Sequence, residues 1–249
     1  MKFLSVVIPC YNEKENLKTK ILDEVRNYLI KQKYDWEVII SDDGSTDKSI
    51  ELIEKFINKK AGFRLLKNKH QGKPYAVKSG ILASEGKYIL FSDLDQSTPI
   101  KEIKKLLPYF NKGYDIVIGS RGTFRKKSPW YRKIMAYVFL KFRRILILPD
   151  IIDTQCGFKC FSQKAAKDIF NNLKIYAKKN ETIIGGRVTA FDVEVLFLGK
   201  KLGYKVKEIP VEWEYRKTRK IDYFKESISM VQETFRVLIN NWRGLYDQK

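Results

Sequence analysis

Five apolar runs alternate with helical patterns through the first half of the chain, and this alternation limits the fold more than any other feature. The runs are KFLSVVIP, WEVIIS, FRLLKN, KYILFSD and YDIVIGS. Helical periodicity covers residues 13–32, 46–59, 72–84 and 99–111 between them. Strands apolar at nearly every position are buried on both faces, which calls for a parallel sheet covered by helices on both sides. Right-handed crossovers then give a doubly wound, mainly parallel α/β fold. Thr98 and Pro99 read as an N-cap and first helical residue. DGSTD reads as a turn followed by a cap.

The pattern changes after residue 122. Residues 125–148 read as a basic helix, PDIIDTQCGF as a loop, and the polar stretch 171–190 as a loop or lid. FDVEVLFLGKKLG reads as a helix ending at Gly203, and YKVKEIPVEW as a strand. A last helix, about 222–242, places Phe224, Ile228, Val231, Phe235, Leu238 and Trp242 on one apolar face. With no repeat or linker, residues 1–249 read as one domain, divided at residue 122 into a sheet-based half and an added half.

Composition narrows the class. The 249 residues are 44% apolar and 31% charged, which suits a globular chain with a real core. MKFLSVVIPCYNE is too short and too quickly polar for a signal peptide. The best spanning candidate, IMAYVFLKFRRILILP, is interrupted by Lys141, Arg143 and Arg144. Three cysteines, Cys10, Cys156 and Cys160, are an odd count and read as reduced thiols inside a cell. The Cys156/Cys160 spacing could suit half a zinc site, but there is no second pair and His70 is the sole histidine, so zinc is not expected. The net charge of +20 implies an anionic partner: nucleic acid, an anionic lipid surface or a phosphorylated substrate.

In open α/β sheets, ligands bind outside the carboxyl ends of the strands. IPCYNE, SDDGSTD, SDLDQS and GSRG each follow a strand and are expected to border one crevice. Asp93 and Asp95 project to one side if the strand persists. Two carboxylates that close repel unless neutralised, and Mg²⁺ commonly joins one or two carboxylates to substrate phosphates. Solvated loop carboxylates or helix caps are the alternative. Asp42 and Asp43 alternate sides, so one is expected to face the crevice and accept from a base N–H or a ribose hydroxyl; a turn role is the alternative. Neither G-x-x-x-x-G-K-[ST] nor G-x-G-x-x-G after the first strand is present, so phosphates fall to metal and basic side chains. His70 reads as a hydrogen-bonded or surface group, outside the chemistry.

VVIPCYNE, SDDGSTD, HQGKPYAVKSG, FSDLDQSTP, DIVIGSR, DTQCGFKCF and FDVEVLFLGKKLGYKVKEIPVEW occur in order. Together they resemble family-two glycosyltransferases of GT-A fold, in the branch of dolichyl- or polyprenyl-phosphate sugar synthases, notably the β-glucosyltransferase type. The resemblance spans about residues 3–215. It implies a metal-dependent inverting transfer from a nucleotide sugar, commonly a UDP-sugar, to a lipid phosphate. Residues 1–122 would be the nucleotide-sugar half and 123–249 the acceptor- and membrane-facing half. Pro9, Tyr11 and Glu13 would line the nucleoside pocket and Asp42 would face the base. Asp93 and Asp95 would hold Mg²⁺ or Mn²⁺, Arg121 a phosphate, and Asp153 the acceptor side. Arg216 and Arg219, in YRKTRK, would lie near the diphosphate.

Departures qualify the match. Ser97 stands where mannosyl relatives carry Gln, Pro74 replaces a usual glycine, and YRKTRK lacks the serine of the family's basic segment. The C-terminal membrane helices of many relatives are absent from this sequence, as is Q-x-x-R-W of processive synthases.

A lipid phosphate is already anionic and needs no strong base, so Asp153 would orient the acceptor or stabilise the cationic sugar. A hydroxyl acceptor would make Asp153 or Asp192 the base; Asp192 otherwise reads as a helix N-terminal carboxylate. On a helical wheel Arg132, Lys133, Lys141, Arg143 and Arg144 oppose Ile134, Met135, Val138, Phe139, Phe142, Ile145 and Leu146. That pattern fits an interfacial helix at an anionic membrane surface, or one packed on the sheet with its basic face in water. Three readings stand: transfer to polyprenyl phosphate at the cytoplasmic face of a membrane, transfer to a hydroxyl, and a basic membrane- or nucleic-acid-binding module. The third leaves the carboxylates at three strand ends unexplained, so no nucleic acid is expected.

Overall fold

The computed structural model of the chain describes residues 1–122, 146–175, 191–214 and 223–247, with Lys141, Arg144 and Arg216. Seven strands form one sheet: β1 Leu4–Cys10, β2 Trp36–Asp42, β3 Phe63–Lys67, β4 Tyr88–Ser92, β5 Ile116–Ser120, β6 Phe158–Ser162 and β7 Val206–Pro210. Their order is β3-β2-β1-β4-β6-β5-β7. All pairings are parallel except those of β6, which runs antiparallel to both β4 and β5.

The helices are α1 Lys14–Lys18, α2 Ile21–Leu29, α3 Ser49–Ile57, α4 Lys73–Ala83, α5 Ile103–Leu106, α6 Gln163–Asn172, α7 Phe191–Lys201 and α8 Tyr223–Trp242. Strand alternation divides the core into two layers. Leu4, Val6, Ile8, Val38, Ile40, Leu90 and Val117 meet α2, α3 and α5 on one face. Val7, Ile39, Ile89, Phe91, Ile116, Ile118 and Phe161 meet α4, α6, α7 and α8 on the other. Gly80 lets α4 lie close on the sheet, since a Cβ there would come within 2.4 Å of Val7 Cγ1.

Several expectations change. The first helical stretch is two helices, divided where Lys20 adopts a left-handed φ of 62°. The expected 99–111 helix is a 3₁₀ turn, the short α5 and a second 3₁₀ turn. Pro108 lacks the N–H that would continue the α ladder. Pro99 lies outside the helix at ψ 142°, and the Thr98 hydroxyl lies 3.8 Å from Cys156 Sγ rather than capping. The 171–190 loop begins two residues late, because α6 runs to Asn172.

β6 is the main element that the sequence reading missed. Its five residues are interrupted by a lysine, so they lack a strand's apolar signature. The last helix forms as expected but packs differently: it buries Val237 and Leu238, while Phe235 and Trp242 of the expected apolar face are exposed. No described helix is long and apolar enough to cross a membrane. The interfacial pattern over 125–148 falls almost wholly outside the described residues.

Candidate active site

The reversed direction of β6 brings the residues before it to the carboxyl edge of its parallel neighbours. Asp153 through Gly157 therefore meet the turn after β4 and Arg121 after β5. Asp93 N–H donates to Gly157 O at 3.1 Å. A Cβ on Gly157 would stand 1.9 Å from Asp93 Oδ2, so glycine is required for that approach.

β4 ends at Ser92, so Asp93 and Asp95 lie in a turn and not on a continuing strand. Gln96, at φ 49°, reverses the chain, and its side-chain amide donates to Ser92 Oγ at 3.0 Å and Asp93 O at 2.8 Å. Asp95 accepts from Ser97 N–H at 2.9 Å. Burial first, and the nearby Asp93 charge second, push the Asp95 carboxyl above its ordinary range. Lys73 Nζ lies 2.6 Å from Asp93 Oδ1. These two carboxylates fit a divalent cation: one is uncomfortable as an anion, and the other already draws in an ammonium. No group of three ligating side chains occurs among the described residues, so phosphate or water oxygens would complete the shell.

After β5, Arg121 grips Asp153 with Nε to Oδ2 at 2.7 Å and Nη2 to Oδ1 at 2.8 Å. The Arg121 and Gln155 backbone amides add bonds at 2.9 and 3.1 Å. Burial alone would raise the Asp153 carboxyl, but the Arg121 bonds and charge outweigh it and hold its pKa at about 2. Its capacity as an acceptor is saturated, and such a carboxylate is a poor proton acceptor.

Behind this pair lies Lys159, 1% exposed on a central strand. Strand register sets it between Phe91 and Ile118, on the face covered by α7. Its Nζ donates to Cys156 O and stands 2.6 Å from Asp192 Oδ1 near the start of α7. That contact is an ion pair, not an aligned hydrogen bond. Burial pushes the Asp192 carboxyl up against the opposing pull of Lys159. Lys73 and Lys159, both overlooked by the sequence reading, approach the ring of Phe91 at 5.3 and 5.9 Å. Strand position offered a signal for Lys159: a charge inside an apolar pentapeptide.

The residues expected to line a nucleoside pocket form a separate group. Tyr11 stacks on His70 with ring centroids 4.1 Å apart and planes 6° from parallel. Asp43 holds the loop before α4 through Gln71 N–H, Gly72 N–H and His70 Nδ1 at 2.8–2.9 Å. Asp42, 0% exposed, accepts from Ser45 N–H at 2.9 Å and from the Ser45 hydroxyl. Both aspartates are therefore turn-closing, and neither presents the open carboxylate expected of one of them. Pro9 ends up beside Ser41 in the β1–β2 register, and Glu13 accepts from Asn16 at 2.6 Å. Arg216 lies 3.7 Å from Glu24 of α2, outside the charge cluster; Arg219 is outside the described residues. The cysteines are buried, and desolvation pushes the Cys156 thiol up to about 11, so thiolate chemistry is not favoured.

Three variants test this arrangement. Lys159→Met leaves Asp192 buried without its partner and lowers unfolding free energy by about 3 kcal/mol or more, whereas adding Asp192→Asn recovers most of the loss in denaturant titrations. Gly157→Ala displaces Asp93 and cuts kcat/KM by about tenfold or more while circular dichroism stays unchanged. Because the Asp153 pKa is depressed from 3.8 to about 2, its stabilisation is complete above the ordinary value and lost as pH falls through the lower one. The stability gap between wild type and Asp153→Asn, about 2 kcal/mol near neutrality, therefore closes between those pH values in acid denaturation.

Comparison with known proteins identifies the family and the fold. The model of glycosyl transferase family 2 matches residues 5–170. Dolichyl-phosphate beta-glucosyltransferase of Dictyostelium discoideum is 36% identical over 97% of this chain and 76% of its own length. The Homo sapiens protein of that name is 32% identical over 97% of this chain and 78% of its own length. Glucosyl-3-phosphoglycerate synthase from Mycobacterium tuberculosis, solved with UDP, superposes with TM-score 0.65 at 18% identity, covering 95% of this chain and 80% of that one. Another structure of that synthase holds Mn²⁺, UDP and glucosyl-3-phosphoglycerate, with TM-score 0.60 at 16% identity, covering 96% of this chain and 79% of that one. The family-model match and the relatives, on a GT-A architecture with its strand-end site, make the chain an enzyme of glycosyl transferase family 2.

Proposed function

We propose that the enzyme transfers glucose from UDP-glucose to the phosphate of a polyprenyl lipid, with inversion and with Mg²⁺ or Mn²⁺ at Asp93 and Asp95. The observation that carries this reading is the saturated Asp153. A hydroxyl acceptor needs a positioned base, and the nearest acceptor-side carboxylate is locked to Arg121 with its pKa held at about 2. A phosphate acceptor is anionic already and needs an arginine, which this site supplies. The relatives named dolichyl-phosphate beta-glucosyltransferase support that acceptor and sugar. The UDP and Mn²⁺ in a solved relative support the donor and the cation.

In this mechanism Tyr11 and His70 form the nucleoside platform, beside Pro9 and Glu13. Asp42 shapes that pocket by closing its turn. Lys73 lies where it can move from Asp93 to a donor phosphate. When bound, the cation would add positive charge to the departing diphosphate. Arg121, oriented by Asp153, holds the acceptor phosphate so that one oxygen faces the anomeric carbon opposite the leaving group. The new C–O bond forms as the old one breaks, and the electron pair leaves with the UDP oxygen. Lys73 and Arg121 counter the charge on the two phosphates, which is the electrostatic term that accelerates such displacements. The +20 net charge favours work at an anionic membrane surface, which we place at the cytoplasmic face.

Asp95→Asn tests the reading. Transfer from UDP-glucose to a short polyprenyl phosphate falls by about 100-fold or more in kcat/KM. Its thermal midpoint holds or rises, because the lost carboxylate is strained as an anion. Undiminished metal-dependent turnover in this variant would exclude the two-aspartate seat.

A further inference from the structure

The segment after β7, Val211-Glu212-Trp213-Glu214, joins the two ends of the site. Val211 N–H donates to Ser120 O at 3.0 Å, next to Arg121. Glu214 N–H donates to Ser97 O at 2.8 Å, two residues beyond Asp95. Glu212 N–H donates to Glu102 Oε2 at 2.9 Å, and its carboxylate meets Lys101 at 2.7 Å. Trp213 is thus held between the metal-side turn and the phosphate arginine. Its ring lies 5.8 Å from the Arg121 guanidinium carbon, and the side chain stays partly exposed.

Two restraints then fix Arg121. Asp153 takes Nε and Nη2 along one edge, and the guanidinium carbon stands over the indole ring at 5.8 Å. Among the described residues, Nη1 is the nitrogen of the fork left for an incoming phosphate oxygen. A phosphate taken up there would sit on the same guanidinium that stands over the partly exposed indole, within reach of its ester group. A sugar alcohol or an inorganic anion has no use for an apolar wall at that point, whereas the first isoprenoid unit of a lipid phosphate does.

We propose that Trp213 is the positioning and acceptor-specificity residue of this site. It holds the Arg121 guanidinium in the plane set by Asp153, and it supplies the apolar wall for the first isoprenoid unit of a polyprenyl phosphate. This rests on the lipid-phosphate reading above.

The test compares wild type, Trp213→Phe and Trp213→Ala, with a short polyprenyl phosphate and methyl phosphate as alternative acceptors. Trp213→Ala raises KM for polyprenyl phosphate about tenfold and narrows the preference over methyl phosphate, while KM for UDP-glucose stays within about twofold. Trp213→Phe, which keeps an aromatic face, recovers most of the loss. An acceptor KM within about twofold of wild type in Trp213→Ala, or a parallel rise for the donor, overturns the proposal. Indole fluorescence guards against a variant that fails to fold. Polyprenyl phosphate binding changes wild-type emission, and folded Trp213→Phe loses that change; a change that persists in Trp213→Phe overturns the proposal. A wild type that binds polyprenyl phosphate but shows no transfer counts against the proposed reaction instead, so the two failures are distinguishable.

Discussion

A lysine ammonium closed off from water in the middle of a sheet is the constraint on which this site depends. Lys159 is stable there only because a backbone carbonyl and Asp192 receive it. Around it stand Lys73 and Arg121, with Asp93, Asp95, Asp153 and Asp192. Three cations face four carboxylates, so with all of them ionised the cluster is one negative charge out of balance. Burial first and the Asp93 charge second drive the Asp95 carboxyl upward, burial does the same at Asp192, and Asp153 is satisfied by Arg121. In the proposed reaction, a cation at the Asp93–Asp95 turn would offset the imbalance and favour the anionic donor and acceptor.

The topology makes this cluster possible. A wholly parallel sheet would send the Asp153 loop to the far edge or spend a crossover to return it. Inserting β6 antiparallel between β4 and β5 brings that loop directly between the turn after β4 and Arg121. The same reversal lays Lys159 on the α7 face, where Asp192 waits near the helix start. Gly157 completes the arrangement by leaving room for Asp93. Sheet order, one glycine and one buried charge thus act as a single device.

Much of this was legible in the sequence, because apolar runs between helical patterns have few three-dimensional solutions. The five strands of the first half, the strand-end position of the motifs and the family followed from residues alone. Asp93 and Asp95 were singled out on the premise of a continuing strand, but the strand stops at Ser92, and Gln96 builds the turn. β6 was hidden by its lysine, since a buried charge looks like a surface residue until its partner is known. Asp42 and Asp43 looked like open ligands because acidic turn residues and acidic ligands share one sequence signature; only Ser45 and the loop from His70 to Gly72 separate them. The helix breaks at Lys20 and Pro108 are local backbone events that periodicity averages away.

The central claim is that the unbalanced carboxylates at the end of β4 seat the cation that brings in the donor. Anomalous scattering from crystals grown with Mn²⁺ and UDP-glucose measures this directly. The account predicts one strong manganese peak between Asp93 and Asp95, in contact with the diphosphate and with Lys73 turned towards phosphate. A donor bound at these strand ends with manganese elsewhere, or with no manganese at all, would contradict it.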